Sequence, residues 1–358
     1  MLLHAMRNSP PSETRLIEEL LARLKAAVPD DWLVSIRDSD RRFSARPDAI
    51  LAIEAPDGTS AVVAVEVKRN VLPKDVERAL AQVRRYPADA ALIMAPYLTD
   101  RTRELIQKSG SGYADATGNL RLALRRPAVF ITSSGERSDP WRTERRVRSL
   151  KGAVAGRGIR ALCDFRPPYG VRELAARANM IPGTLSRLLV FLEEEALIRR
   201  DGRRRVDEVD WPALLRRWSA DYYFSESNET QSFLEPRGLV ELERKLVASS
   251  LRYAVSGSLA TRSTSPVAPP RLGVVYVEAI PHAAAELKLT TTDSGTNVIL
   301  AEPFDSVVFE RQRSDQGGLK CAALPQVAVD LMTGPGRSPN EAEALIRWMQ
   351  DNEDAWRA

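Results

Sequence analysis

The most constraining feature of this chain is a pair of short apolar runs, Ala49–Ile53 and Ala61–Val67, joined by Ala55-Pro56-Asp57-Gly58. Asp-Gly flanked by β-branched residues predicts an antiparallel hairpin. Side chains alternate across a strand, so Glu66 and Lys68 share one face while Val67 points to the other. The hairpin folds Asp48, preceded by Pro47, beside Glu66. Two carboxylates and one ammonium are thereby predicted in a single pocket. Close carboxylates repel unless a cation joins them, and Mg²⁺ favours such oxygen ligands with waters. Asp48 and Glu66 are the expected metal ligands, for Mg²⁺ or Mn²⁺ where the site is active, and Lys68 the group that orients water or stabilises charge on a phosphate.

Composition narrows the chemistry further. The 358 residues include two histidines, His4 and His282, and two cysteines, Cys163 and Cys321. Four such residues so widely scattered cannot form a Cys/His zinc cluster or a disulfide framework. His282 stands alone and His4 lies in a predicted loose N-terminus, which excludes a histidine-assisted serine or cysteine nucleophile. His282, Cys163 and Cys321 are expected to be structural or incidental. No stretch has the length and apolarity of a membrane span, and MLLHAMRNSPPSET lacks the apolar segment of a signal peptide. A soluble, cytoplasmic and nucleoid-associated protein without membrane contact is expected.

Around the hairpin the pattern predicts a helix over 14–27 behind Ser12, a strand over 32–36, a helix from Pro73 to Tyr86, a strand over 90–94 and a helix over 100–108. A turn-rich stretch, GYADATGN (112–119), precedes strands near 120–124 and 128–132. Gln82 and Tyr86 are spaced to share one helix face. The set Pro47, Asp48, Glu66, Lys68 with Gln82 and Tyr86 resembles the PD-(D/E)xK nuclease superfamily and its RecB-type QxxxY members. That resemblance covers about residues 10–130 and implies an αβββαβ nuclease-like domain. It also implies metal binding by Asp48 and Glu66, catalytic assistance by Lys68, and substrate positioning by Gln82 and Tyr86.

The middle of the chain points to nucleic acid. Residues 138–222 hold 18 Arg/Lys and 12 Asp/Glu, a net of +6, whereas the whole chain carries +4. A polar, basic lead-in (138–152) is followed by predicted helices over 150–164, 171–178 and 182–196. Leu185, Leu188, Leu189 and Leu192 form the apolar stripe of the last. Its other face begins with Thr184, Ser186 and Arg187, donors suited to a major groove. The charged hairpin IRRDGRRRVDEV (198–209) brings Arg199, Arg200, Arg203, Arg204 and Arg205 to where a duplex's phosphates would run. A helix at 212–222 follows. The pattern predicts a winged helix-turn-helix, with 182–196 as reader and the hairpin as wing.

In the last third, Val255-Ser256-Gly257-Ser258 is similar to the opening strand-turn of nucleotidyltransferases, but no Asp or Glu occurs from Leu259 to Val277. Without the carboxylate pair that holds two metals, a degenerate scaffold or a plain turn is expected. Together with VSGSLA (255–260), TNVILAEPFDSVVF (296–309), ALPQVAVDLMTGPGRSPNEAEALIRW (323–348) and GYADATGNLRL (112–122), the winged helix resembles the AbiEi-like antitoxin and transcriptional-regulator family of type IV toxin–antitoxin systems. The resemblance implies a double-stranded DNA-binding regulator acting on its own promoter, with a cognate toxin or other protein held by the C-terminal domain. A homodimer is the fold-level expectation. Asp115 and Asn119 are candidates to line the nuclease-like pocket. The expected architecture is α/β plus α+β multidomain: a nuclease-like domain (1–137), a winged helix-turn-helix (138–222) and an α+β domain with helices over 238–250 and 339–351 (223–358). A Mg²⁺-dependent deoxyribonuclease addressed by the winged helix is the alternative function.

Overall fold

The computed structural model describes residues 9–38, 46–141, 149–292 and 294–358. The expected loose N-terminus with His4 and most of the basic lead-in (142–148) lie outside the described residues. The protein is mixed α/β and divides into two compact units, one of residues 1–146 with 194–196, the other of 147–193 with 197–358. The second unit thus contains both the expected winged-helix region and the expected C-terminal domain.

In the first unit, helix α1 (Glu13–Ala27) begins where Ser12 accepts a hydrogen bond from the Arg15 amide at 3.4 Å. Strands β1 (Leu33–Arg37), β2 (Ala49–Glu54) and β3 (Ser60–Val67) follow, antiparallel in sequence order. A 3₁₀ turn (Pro73–Asp75) leads into α2 (Val76–Val83), then β4 (Ala90–Ala95), α3 (Asp100–Lys108), β5 (Gly112–Asp115), β6 (Leu120–Leu124) and β7 (Val129–Ser133). The seven strands stand in the sheet in chain order, with β3, β4 and β5 parallel. Each parallel crossover needs a covering helix, and α2 and α3 supply them. Alternation sorts the side chains into two layers. Val63, Val65 and Val67 pack with Leu16, Leu20 and Leu24 of α1, while Ile50, Ala64 and Ile93 pack with Leu80 and Val83 of α2 and Ile106 of α3.

Two elements depart from the sequence reading. Gly112–Asp115, expected as turn, is strand β5, fully paired with β4. The helix expected to reach Tyr86 ends at Val83, so Tyr86 falls past the helical face it was assigned to.

The second unit opens with α4 (Gly152–Asp164), α5 (Val171–Arg177) and α6 (Pro182–Glu194), followed by the hairpin β8 (Ile198–Arg200) and β9 (Val206–Val209) and by α7 (Trp211–Ser219). Asn179 turns the chain between α5 and α6 at φ +49°, a left-handed conformation that asparagine tolerates. Gly158 lets α6 approach α4, since a Cβ there would stand 2.3 Å from Leu188 Cδ2. Tyr169 and Val206 exchange backbone hydrogen bonds at 3.1 Å, adding a short third segment to the hairpin.

Beyond a short helix, α8 (Phe224–Ser227), come β10 (Glu229–Leu234), α9 (Leu239–Ala248), β11 (Tyr253–Ser256), α10 (Gly257–Thr261), β12 (Gly273–Val277), α11 (Ile280–Glu286), β13 (Thr290–Thr291), β14 (Val298–Glu302), β15 (Arg313–Ser314) and β16 (Lys320–Cys321). Helices α12 (Leu324–Met332) and α13 (Ser338–Asp351) close the unit. The sheet order is β13-β10-β14-β12-β11-β16-β15. One apolar cluster runs from Leu150 to Trp356, joining the helical part to this sheet. Among the described residues, no helix is long and apolar enough to cross a membrane.

Candidate nuclease-like site and nucleic-acid interface

The register Ala49↔Val65, continued by one pair, places Asp48 opposite Glu66. Asp48 Oδ2 accepts the Val67 amide at 2.7 Å, which fixes its carboxylate at the ends of β2 and β3. Glu66 is 1% exposed. Its Oε1 accepts hydrogen bonds from Lys68 Nζ and Gln82 Nε2, and Lys68 Nζ also donates to Gln82 Oε1 at 3.2 Å. Glu66, Lys68 and Gln82 therefore form a closed triangle at the C-terminal end of β3, where open α/β sheets bind their ligands.

Glu66 Oε2 is buried without a hydrogen-bond partner. Burial pushes the Glu66 carboxyl up, the Asp48 charge adds to the rise, and the Lys68 hydrogen bond opposes it. A buried, unpartnered carboxylate oxygen on a residue cross-strand from a second carboxylate is a donor type suited to a hard divalent cation. Among the described residues no group of three or more His, Cys, Asp or Glu gathers here. Two carboxylates remain sufficient for Mg²⁺, which retains waters and draws further oxygens from phosphate. Sequence reasoning passed over Glu13, in the first turn of α1, whose charge also raises Glu66; a lone glutamate in a helix's first turn gives no such signal.

The other predicted residues separate. Tyr86 is buried in the apolar layer with Ile50, Ala64 and Val83, not at the triangle's open side. Asp115 is fully buried. Its Oδ1 accepts from the Thr117 amide and hydroxyl and the Asn119 amide, and its Oδ2 from the Leu98 amide and Asn119 Nδ2. Five donors occupy it, so Asp115 and Asn119 hold the loop after β5 and do not offer ligands.

On α6, Leu185, Leu189 and Leu192 are buried and Leu188 is half-buried. Thr184 and Ser186 are half-buried, and exposed Arg187 donates to Thr184 Oγ1 at 3.4 Å. The hairpin arginines divide into two groups. Arg200 is 5% exposed and bound to Glu193, and Arg199 bridges Asp207 at 3.3 Å and Glu208 at 3.1 Å. Arg200 is thereby withdrawn into the fold, whereas the Arg199 side chain, 67% exposed, stays at the surface. Asp201 Oδ1 accepts the amides of Arg203 and Arg205, which shapes the tip. Arg205 donates to the Pro168 carbonyl at 3.4 Å. Arg203 and Arg204 are exposed and form no ion pair among the described residues. Arg172 of α5 is likewise exposed and unpaired there, a candidate that its isolated place in the sequence did not reveal.

The remaining candidates are inert. Cys163 and Cys321 are buried free thiols, and burial pushes them up to about 12 and about 11. His282 lies on the surface 3.6 Å from Glu286. Compared with known proteins, the chain matches no family model, no curated protein and no solved structure.

Proposed function

We propose that this protein binds double-stranded DNA as an antitoxin-like transcriptional regulator, reading the duplex with α6 and gripping phosphates with the β8–β9 tip. The observation that carries this reading is the pairing of a helix-turn-helix with a hairpin whose exposed Arg203 and Arg204 have no carboxylate partner among the described residues. The order α4, Tyr169 bridge, α5, α6, β8, β9 supports a winged helix. Arg187 is the side chain of α6 with the reach and fork geometry for a guanine edge. Phosphate contacts release counterions, so each arginine lost lowers the salt dependence of binding. Arg203→Ala/Arg204→Ala is expected to weaken duplex binding about tenfold at low salt and to lower the log–log salt slope by about 2. Fluorescence anisotropy across a salt series reads both; an unchanged slope removes the hairpin from the interface.

A second reading, a PD-(D/E)xK deoxyribonuclease, is favoured by the unpartnered Glu66 Oε2 beside Asp48. These two residues would hold Mg²⁺ or Mn²⁺, and the cation would supply Lewis-acid polarisation of the scissile phosphate. Lys68 stands where its ammonium can orient a water or stabilise charge developing on phosphate. Gln82 keeps the Lys68 ammonium and the Glu66 carboxylate in register. Whether catalysis accompanies binding is decided by the Lys68 variant described in the Discussion.

A further inference from the structure

The apolar side chains on each face of a core sheet are stable when another layer covers them. Strands β12 and β14 are neighbours in the middle of the second unit's sheet. Their register pairs Val274 with Ile299 and Tyr276 with Ala301, and alternation puts both pairs on one face. Tyr276 and Ala301 are fully buried, the tyrosine against the Phe224 ring at 5.8 Å and donating to Asp330 of α12 at 2.9 Å. Val274 and Ile299, two residues earlier on each strand, are only half-buried. They line a cavity of about 300 Å³ whose other apolar walls are Phe224, Leu272, Leu331 and Pro335.

Most polar groups of the wall are engaged within the fold. Asp330 accepts Ser256 and Tyr276 on one oxygen and Tyr222 and Gln326 on the other. Ser258 Oγ donates to Glu341, and Ser338 Oγ donates to the Pro335 carbonyl at 2.8 Å. Arg337 gives its Nε to Glu341 at 2.7 Å and its Nη2 to the Pro269 carbonyl at 2.8 Å. Arg271 is the exception. It lines the cavity, is exposed, and forms neither an ion pair nor a hydrogen bond among the described residues. An apolar chamber with one unanswered guanidinium suits a ligand with an apolar body and a single negative charge. The planar fork of arginine matches a carboxylate, which accepts two parallel N–H donors. An uncharged ligand would leave Arg271 unanswered, and a small anion would leave the apolar walls uncovered.

We infer that this cavity binds an apolar monocarboxylate, its hydrocarbon body against Val274 and Ile299 and its carboxylate on Arg271. Calorimetric titration and thermal unfolding of the full chain with octanoate, octanol and acetate test the assignment. Saturating octanoate is expected to raise Tm by about 2–4 °C and to bind roughly three- to tenfold more tightly than octanol, with acetate giving no heat at the same concentration. Arg271→Glu, at an exposed position, is expected to unfold at the wild-type temperature and to weaken octanoate binding about tenfold while octanol binds as before. Ile299→Trp, which fills the cavity floor, is expected to abolish binding of both. The inference is overturned if octanoate produces neither heat nor shift, if octanol or acetate matches it, or if either variant binds octanoate as wild type does.

Discussion

Lys68→Ala is expected to lower Mg²⁺-dependent cleavage of plasmid DNA by roughly 100- to 1,000-fold, the scale of losing one preorganised donor at a developing charge. The reason lies in the triangle of Glu66, Lys68 and Gln82. The ammonium is the sole cationic member of that triangle. Glu66→Gln should abolish cleavage as well, while leaving the fold at least as stable, because the carboxyl it replaces is raised by burial. Linearised or nicked product quantified on gels over time, in Mg²⁺ and Mn²⁺, reads the effect. If wild type and Lys68→Ala cleave equally, the activity belongs elsewhere. If wild type does not cleave at all, the nuclease reading falls and the DNA-binding reading stands by itself.

The largest expected loss of stability is at Asp330, on α12. Its carboxylate accepts Ser256 Oγ at 2.6 Å and Tyr276 OH at 2.9 Å on Oδ2, and Tyr222 OH and Gln326 Nε2 at 2.9 Å on Oδ1. Asn228 extends the network by donating to Tyr222 OH at 2.9 Å. Asp330→Ala removes the shared acceptor of four buried donors, leaving only the Tyr222–Tyr276 hydroxyl contact at 3.1 Å and the Gln326–Tyr222 contact at 3.4 Å among them, and a loss of about 3–5 kcal/mol is expected in chemical denaturation. The Asp330 carboxyl is raised by burial, against the lowering effect of its hydrogen bonds. An acid whose folded pKa lies above its unfolded value stabilises fully below the unfolded pKa, and that contribution disappears as pH rises through the folded pKa. Asp330→Asn cannot titrate, so its stability relative to wild type should improve from pH 3.8 upward through the raised value. A constant difference across that window would show that Asp330 ionises as freely in the fold as in the unfolded chain.

Local physics made much of the first unit readable. The Asp57-Gly58 turn and the alternation of β2 and β3 set the register that brings Asp48 opposite Glu66. Long-range pairing made the rest unreadable. β5 hides in Gly112-Tyr113-Ala114-Asp115 because glycine and aspartate signal turns, and its strand state comes from pairing with β4. Tyr86 kept helical spacing, but the helix stopped at Val83, and apolar burial decided where the ring went. The hairpin arginines all looked alike as a basic run. Glu193 withdraws Arg200 alone, while Asp207 and Glu208 pair with an Arg199 that stays exposed, and those contacts arise only in the fold. Asp330 sits in ALPQVAVDLM, where its place beneath Tyr222 and Tyr276 depends on contacts more than fifty residues away.

The most direct test of duplex recognition by α6 is footprinting of the full chain on DNA fragments selected by the wild-type protein, with Arg187→Ala alongside. Wild type is expected to protect a defined site, and Arg187→Ala to lose about 1–3 kcal/mol of preference for it while retaining its affinity for unrelated duplex. Protection of the same site at the same protein concentration by both proteins would contradict it.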